Sequence, residues 1–212
     1  MAELSVRDGK LVQYLNEAYG KEKELEIALA AHIEMTSRAP YKKRLREHLT
    51  QTKRHARELE KRVKQLGGTP QTVPVEGLDP VAKGAGAAVA LAGRVAAAAQ
   101  GPLHAIRGTG EQEKMLKNAK SEYADEHEEI ATYSAIETLA EALADAETAK
   151  LARAIRREEE SMARFLARQI PALAKSVVQA EVPPAQRKSI RATRRRSAKP
   201  ARAKAKAAPA KR

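Results

Sequence analysis

Apolar residues recur at every third or fourth position along four long stretches of the chain. This is the spacing of one face of an α-helix, so each stretch predicts an amphipathic helix of about 25–33 residues. Pro40 follows the first stretch and Gly67 and Gly68 follow the second, as is typical where helices end. Pro171 is expected to distort or end the last turns of the fourth. The four predicted helices cover about residues 7–36, 41–66, 111–143 and 146–170.

The connections between these helices differ in length. Few residues join the first helix to the second and the third to the fourth, which predicts two antiparallel hairpins. A long crossover, residues 67–110, joins the hairpins, and its Ala-rich part at 81–99 predicts a short helix. Long helices of matched length bury their apolar faces best in a four-helix bundle. The sequence therefore predicts an all-α four-helix bundle over residues 1–181.

Carboxylate, imidazole and amide side chains interrupt the apolar faces near the middle of all four helices. A buried carboxylate costs several kcal/mol unless it is paired or bound to metal. One interpretation is a dinuclear metal centre, and an oxygen-rich ligand set suits iron or manganese. The alternative is that these groups reach solvent or pair with the arginines of the second helix. The inward positions are Glu22, His48, Gln51, His55, Glu122, Glu126, Glu129 and Glu159.

Two further features favour ordinary structural roles when each is taken alone. His32 lies near the end of the first helix, where a packed or capping histidine is more common than a metal ligand. The run Glu158-Glu159-Glu160 is more often a solvated helix face than a binding site.

Several short segments, in this order and spacing, resemble the YciF-like stress proteins of the ferritin-like superfamily. The resemblance covers about residues 8–177 and implies a ferritin-like four-helix bundle, usually dimeric, with a di-iron or di-manganese centre. It also implies a link to stress responses. The segments that carry the resemblance are Glu22-Lys23-Glu24-Leu25, Ala28-Leu29, His48-Leu49, Thr52, Leu59, Leu66-Gly67, Glu126-His127, Glu129-Ile130-Ala131, Tyr133 and Glu158-Glu159.

The resemblance also implies a set of metal ligands, which this chain fills incompletely. Gln51 and Thr52 stand where the second helix would carry a carboxylate ahead of its histidine. Met162 and Ala163 stand where the fourth helix would carry its histidine, so loose or partial binding is expected. If the protein is an enzyme, its reaction class is metal-centred redox, either oxidation of Fe(II) or breakdown of peroxide. The implied ligands are Glu22, His55, Glu126, Glu129 and Glu159, with His48, Gln51, Glu122 and Tyr133 beside them.

Composition changes the picture at the C-terminal end of the chain. The 212 residues include 40 Lys and Arg against 27 Asp and Glu, and twelve of the basic residues lie in 187–212, which has no acidic residue. Residues 182–212 contain few large apolar side chains and are predicted to be a disordered tail. The tail resembles the C-terminal arms of linker histones. Its basic residues are Arg187, Lys188, Arg191, Arg194, Arg195, Arg196, Lys199, Arg202, Lys204, Lys206, Lys211 and Arg212.

A flexible polycation of this kind is expected to bind nucleic acid without sequence specificity and with a steep salt dependence. The rival roles are contact with ribosomal RNA, contact with an acidic membrane surface, and simple solubilisation. The membrane is disfavoured because the tail lacks interleaved large apolar residues.

Other classes of function are excluded or disfavoured by what the sequence lacks. The chain has no cysteine, which excludes disulfides, thiolate zinc sites and cysteine nucleophiles. No secretory signal stands out, and the most apolar stretch, residues 84–100, is mostly Ala and Gly and makes a poor membrane span. The expected location is the cytoplasm, in association with the nucleoid.

Two hypotheses follow from these features. The first is a homodimeric, ferritin-like stress protein that binds iron or manganese in its bundle and nucleic acid through its tail. The second is a metal-free architectural protein of the nucleoid, in which the bundle only dimerises and the tail makes the functional contacts.

Overall fold

The computed structural model describes residues 4–72 and 110–187, and the only regular secondary structure in these ranges is helical, with no strand among them. The all-α prediction is therefore confirmed. The helix predicted at 81–99 lies outside the described residues. None of the described helices is long and apolar enough to cross a membrane. The helices are α1 (Val6–Met35), α2 (Ala39–Gln65), α3 (Glu111–Ala142) and α4 (Ala146–Glu181), followed by a 3₁₀ turn at Pro184–Gln186.

The four helices pack as two antiparallel hairpins, α1 with α2 and α3 with α4. The hairpins are side by side, with α1 against α3 and α2 against α4. Each hairpin closes through a connection of three residues, which leaves the second helix no path except back along the first. The result is a four-helix bundle, as predicted.

Two apolar clusters fill the bundle on either side of its middle, and a polar layer separates them. The first cluster lies toward the C-terminal end of α2 and includes Leu15, Leu59, Val63, Ile136 and Ile155. The second lies toward the N-terminal end of α2 and includes Leu29, Leu45, Met115, Met162 and Leu166. Each helix therefore carries apolar side chains into the core near both ends and polar ones between them.

Two prolines act differently from the expectations drawn from the sequence. Pro40 lies in the first turn of α2, where a missing N–H leaves no hydrogen bond unmade, so it begins the second helix as well as following the first. Pro171 was expected to distort or end the last turns of the fourth helix, and it does not end it, because α4 continues to Glu181. Leu173, two residues beyond this proline, is fully buried in the second apolar cluster, and its packing offsets the lost hydrogen bond.

The first residues of the predicted disordered tail have a defined structure. The backbone N–H of Val182 caps α4, and the 3₁₀ turn follows directly. The Arg187 guanidinium donates to the carbonyl oxygens of Gln179 and Val182 at 2.6 Å each. The order therefore extends six residues beyond the predicted start of disorder. The other eleven basic residues of the tail lie outside the described residues.

A buried ion pair fixes the turn between α3 and α4. Asp145 is the N-cap of α4 and accepts a hydrogen bond from the backbone N–H of Thr148 at 3.0 Å. Both of its carboxylate oxygens also accept from Nη2 of Arg62 on α2, at 2.7 Å each. This contact ties the end of the first hairpin to the start of the last helix. Burial opposes the charge, but hydrogen bonds from Arg62 and Thr148 hold the pKa of Asp145 below its usual value.

Replacement of Asp145 by asparagine is expected to destabilise the bundle by about 2–3 kcal/mol. The substitution keeps the shape but removes the buried carboxylate charge that Arg62 contacts, and it leaves the exposed Glu147 as the remaining carboxylate partner of Arg62. Urea unfolding of the metal-free protein at pH 7 measures the effect. Asp8→Asn is the matched control near an exposed helix start, and it should cost less than about 1 kcal/mol. Equal effects of the two substitutions would contradict the proposed importance of this ion pair.

Candidate metal centre

Six ionisable side chains meet in the polar layer between the two apolar clusters, and all of them are at most 3% exposed. α1 contributes one and α4 contributes one, while α2 and α3 contribute two each. The two histidines of α2 are seven residues apart, which is two helical turns, so they face the interior at different heights. The six are Glu22, His48, His55, Glu126, Glu129 and Glu159.

The first group of converging ligand atoms consists of Glu22, His55 and Glu159. Nδ1 of His55 lies 2.9 Å from Oε1 of Glu159 and 3.2 Å from Oε1 of Glu22. The Tyr133 hydroxyl donates to the same Glu22 oxygen at 2.5 Å, which positions that carboxylate. Three helices therefore bring one nitrogen and two carboxylates within ligating distance of a common point.

The second group consists of His48, Glu126 and Glu159, so Glu159 belongs to both. Nε2 of His48 lies 2.9 Å from Oε1 of Glu126 and 3.6 Å from Oε2 of Glu159. The two oxygens of Glu159 thus face different groups, Oε1 toward His55 and Oε2 toward His48. Glu159 therefore offers one oxygen to each group.

Most of the ligand atoms in this layer lack hydrogen-bond partners. Of the ten buried side-chain atoms without a partner among the described residues, only two, on Gln112 and Asn118, lie elsewhere. The contacts of His48 and of Nδ1 of His55 have the distances of ion pairs without the angles of hydrogen bonds. Unpartnered buried polar atoms are rare in folded proteins, and here eight of the ten lie in one layer of the bundle. The other eight are Glu22 Oε2, His48 Nδ1 and Nε2, His55 Nδ1, Glu126 Oε2, Glu129 Oε1, and Glu159 Oε1 and Oε2.

Burial shifts the pKa values of the carboxyl groups in the layer upward. It raises the pKa of Glu126 to about 8, with repulsion from Glu122 and Glu22 adding to the effect. Burial also raises the pKa values of Glu22 and Glu159, and raises that of Glu129 well above its usual value. In the absence of a cation, the layer therefore favours protonated carboxyl groups.

The two histidines respond in opposite directions. Burial lowers the pKa of His48, which favours a neutral imidazole with a lone pair. Burial alone would also lower that of His55, but the Glu159 and Glu22 carboxylates outweigh it and raise the pKa to about 10. His55 therefore carries a proton between two carboxylates, in a place where a metal ion would supply the same positive charge.

The residues present fit a pair of divalent cations. Two nitrogens and several carboxylate oxygens form a donor set that suits iron or manganese. A cation there would satisfy unpartnered atoms and neutralise buried carboxylates, whose burial is otherwise costly.

Two of the residues expected from the sequence have different places in the structure. His48 was expected beside the ligands, but it lies within the second group. It offers an imidazole there, which Met162, at the position of the missing histidine of the fourth helix, cannot do. Glu129, expected among the ligands, is buried close by but belongs to neither group of three.

Gln51 and Glu122 lie at the edge of the layer. Gln51 is half-buried on α2, and its side-chain oxygen accepts a hydrogen bond from Arg44 at 3.3 Å. Glu122 is buried, and its two oxygens contact Nδ1 of His32 at 2.8 Å and the Tyr41 hydroxyl at 2.5 Å. Both Glu122 oxygens thus have partners, which sets this residue apart from the converging groups.

The residue that orients His55 was not among the site residues expected from the sequence. Glu158 was interpreted as part of a solvated run, yet its Oε2 lies 3.2 Å from Nε2 of His55 and accepts from Arg54 at 2.5 Å. A carboxylate on one ring nitrogen fixes a histidine so that the other nitrogen faces the metal. No pattern within one helix gives this contact, because it depends on how α2 and α4 pack.

The fold resembles that of several solved structures. A protein from Xanthomonas campestris pv. campestris has a TM-score of 0.63 at 22% identity, covering 84% of this chain and 99% of that chain. The Escherichia coli stress protein YciF has a TM-score of 0.55 at 20% identity, covering 81% and 98%. The bacterioferritin of Desulfovibrio desulfuricans, which has a diiron site, has a TM-score of 0.56 at 17% identity, covering 85% and 86%. The comparison with curated proteins gave no match.

These similarities confirm the ferritin-like fold and support the resemblance to YciF-like proteins drawn from the sequence. The family model described as the domain of unknown function DUF892 matches residues 7–179, which span all four helices and every residue of the two ligand groups. The chain belongs to the DUF892 family.

Proposed function

We propose that this protein binds two divalent iron or manganese ions in the polar layer of its bundle. The observation that carries the proposal is the presence of two groups of three buried His and Glu side chains, in which every residue has at least one ligand atom without a hydrogen-bond partner. A structural network of buried glutamates would instead need a hydrogen bond for each oxygen.

Each ion would have one imidazole and one carboxylate of its own and would share Glu159 with the other. His55 and Glu22 would hold the first ion, while His48 and Glu126 would hold the second. Iron or manganese in this environment supplies redox chemistry, such as oxidation of Fe(II) or breakdown of peroxide. Tyr133 and Glu158 would keep Glu22 and His55 in place through the hydrogen bonds already described.

The solved structures support this proposal by analogy of fold. The bacterioferritin is described with a diiron site, and another similar structure is a ferritin-like diiron-carboxylate protein from Bacillus anthracis. YciF is described as a stress protein, and we propose a role of that kind for this chain. Analogy of fold supports the class of site, while the ligand atoms of this chain support the site itself.

Elemental analysis tests the proposal directly. Protein purified without chelator, and without an affinity tag that carries metal, is expected to contain about one to two iron or manganese atoms per chain. Reconstitution with Fe(II) under anaerobic conditions should bring the content to about two. A content near zero that persists after reconstitution would contradict metal binding and favour the architectural alternative, in which the bundle only dimerises.

We propose, as a second function, that the basic tail binds nucleic acid. The observation that favours it is the sequence segment 188–212, which has eleven positive charges and no negative one. Counterion release would make the binding insensitive to sequence and steeply dependent on salt.

Deletion of residues 188–212 is expected to abolish retention on DNA and to leave the metal content unchanged. For about six phosphate contacts, the affinity of the full chain should fall about 1,000-fold between 50 and 200 mM salt. Fluorescence anisotropy with a random duplex and a random RNA measures both effects and compares the two partners. A variant with the eleven basic residues changed to glutamine controls for tail length. Wild-type affinity in either variant would contradict the proposal.

A further inference from the structure

A small cavity lies beside the second ligand group, between α1 and α3. The space within it that a water-sized sphere can reach is about 10 Å³, which is room for one water molecule. His48 and Glu126 line it from the ligand group, and both have buried atoms without partners. Ala28, His32, Glu122 and Asp125 complete the polar and small-residue part of its wall.

Exposure increases along the cavity from the ligand group toward solvent. The side chains of His48 and Glu126 are 1% and 3% exposed, and Glu122 is also 3% exposed. His32 and Asp125 are 16% and 28% exposed, so they lie at the outer end. The lining of the cavity therefore runs from the buried second group to partly exposed side chains, and this line of residues is called the path below.

The side chains along this path are of types that bind divalent cations. His32 and Glu122 contact each other at 2.8 Å, and Glu122 is also held by the Tyr41 hydroxyl. Because both Glu122 oxygens have partners, this pair is not a permanent site of the same kind as the two groups below it. A passing cation could replace the contact between His32 and Glu122 and then move to the unpartnered atoms of His48 and Glu126.

Asp125 at the outer end is already paired. Nζ of Lys21 lies 3.0 Å from Oδ1 of Asp125 and 3.0 Å from Oε2 of Glu128. The ammonium group therefore holds one oxygen of the Asp125 carboxylate, whereas His32 and Glu122 are less exposed and lie nearer to the second group. The smallest side chain that α1 contributes to the cavity wall is the methyl group of Ala28, which is half-buried.

We propose that this cavity is the route by which a divalent cation reaches the second ligand group, with His32 and Glu122 as transient ligands. The proposal rests on the metal binding proposed above and adds the side of the bundle from which the cation enters. The cation passes between α1 and α3, contacts His32 and Glu122 first, and reaches His48 and Glu126 next. Both ions would be loaded through this side, because Glu159 connects the second group to the first.

The rate of Co²⁺ uptake by the metal-free full chain tests the route. Ala28→Leu adds three carbons to the cavity wall and leaves every residue of the two groups unchanged. Stopped-flow visible absorption should show uptake about tenfold slower than wild type, which corresponds to about 1.4 kcal/mol in the barrier. The final Co²⁺ content per chain should equal that of wild type.

Ala30→Leu is the matched control, since it makes the same change two residues away at an exposed position of α1. It should load at the wild-type rate. His32→Gln removes the outer imidazole and should also slow uptake without lowering the final content, so it decides the question if Ala28→Leu fails to fold by circular dichroism.

Wild-type rates in both Ala28→Leu and His32→Gln would overturn the route while leaving the proposed function intact. Equal slowing by Ala28→Leu and Ala30→Leu would also overturn it, because the effect would then come from the helix and not from the cavity. If the wild-type chain takes up no Co²⁺ at equilibrium, the proposed function fails, and the route fails with it.

Discussion

Replacement of Glu159 by glutamine is expected to remove both metal positions at once. Its two oxygens face different ligand groups, so a single neutral side chain weakens both. A metal at a concentration one hundredfold above its Kd stabilises a folded protein by about 2.7 kcal/mol per site. Wild type should therefore gain about 5 kcal/mol from two ions, while Glu159→Gln gains almost none. Urea unfolding with and without Fe(II) or Mn(II) under anaerobic conditions measures the difference.

Glu160→Gln is the matched control for this substitution. Glu160 is the next residue on α4, but it faces outward and pairs with Arg156 at 2.5 Å and with Arg164 at 3.8 Å. Its replacement should leave metal content and metal-dependent stability at wild-type values. If Glu159→Gln retains two ions per chain, the shared carboxylate is not a ligand and the arrangement of two linked groups is wrong.

The metal-free protein is expected to lose stability as the pH rises from 6.5 to 8.5. In the folded state, burial raises the pKa of Glu126 to about 8, and contacts with Glu159 and Glu22 raise the pKa of His55 to about 10. The unfolded chain has released both protons over most of this range. A rise in pH therefore favours the unfolded state, by on the order of 4 kcal/mol across the window. The lowered pKa of His48 affects stability below pH 6.5, because the histidine of the unfolded chain gains a proton there more readily than the folded one.

Urea unfolding in the presence of a chelator at pH 6.5, 7.5 and 8.5 measures this dependence. Saturating metal should reverse its sign, because the ion displaces the protons and binds more tightly as they leave. Glu126→Gln should flatten the metal-free profile, since one of the responsible groups no longer titrates. A wild-type profile that is flat or rises with pH would contradict the assignment of raised pKa values to the layer.

The architecture was predictable from the sequence because it depends on periodicity. The stretch that predicted a helix at 7–36 is α1 from Val6 to Met35, and the other three agree to a few residues at most boundaries. Pro171 is the exception, since local backbone preference argued for a stop and the burial of Leu173 outweighed it. Packing of distant residues is not visible in a local pattern.

The site was predictable in part. The inward positions of Glu22, Glu126 and Glu159 follow from helical spacing, and all three are buried. The grouping of these residues depends on the relative heights of four helices, and spacing within one helix does not give those heights. This is why His48 was placed beside the ligands and Glu129 among them.

The second layer of contacts was the least predictable. Glu158 reaches His55 across the gap between α2 and α4, a contact between residues 103 positions apart in sequence. The run of three glutamates is typical of a solvated face, and two of its members do face outward. The first of them, Glu158, meets the His55 imidazole only because of the way α4 packs against α2.

The polar layer that divides the core also divides the protein's cooperativity. The apolar clusters on either side share no buried side chain, and the layer between them holds buried carboxyl and imidazole atoms without hydrogen-bond partners. Opening of the helices at mid-length would hydrate the buried carboxylates at low cost. In the metal-free protein, amide hydrogen exchange should therefore be fastest at the centres of the helices, the reverse of ordinary fraying from the ends. Binding of the ions would join the two halves into one unfolding unit.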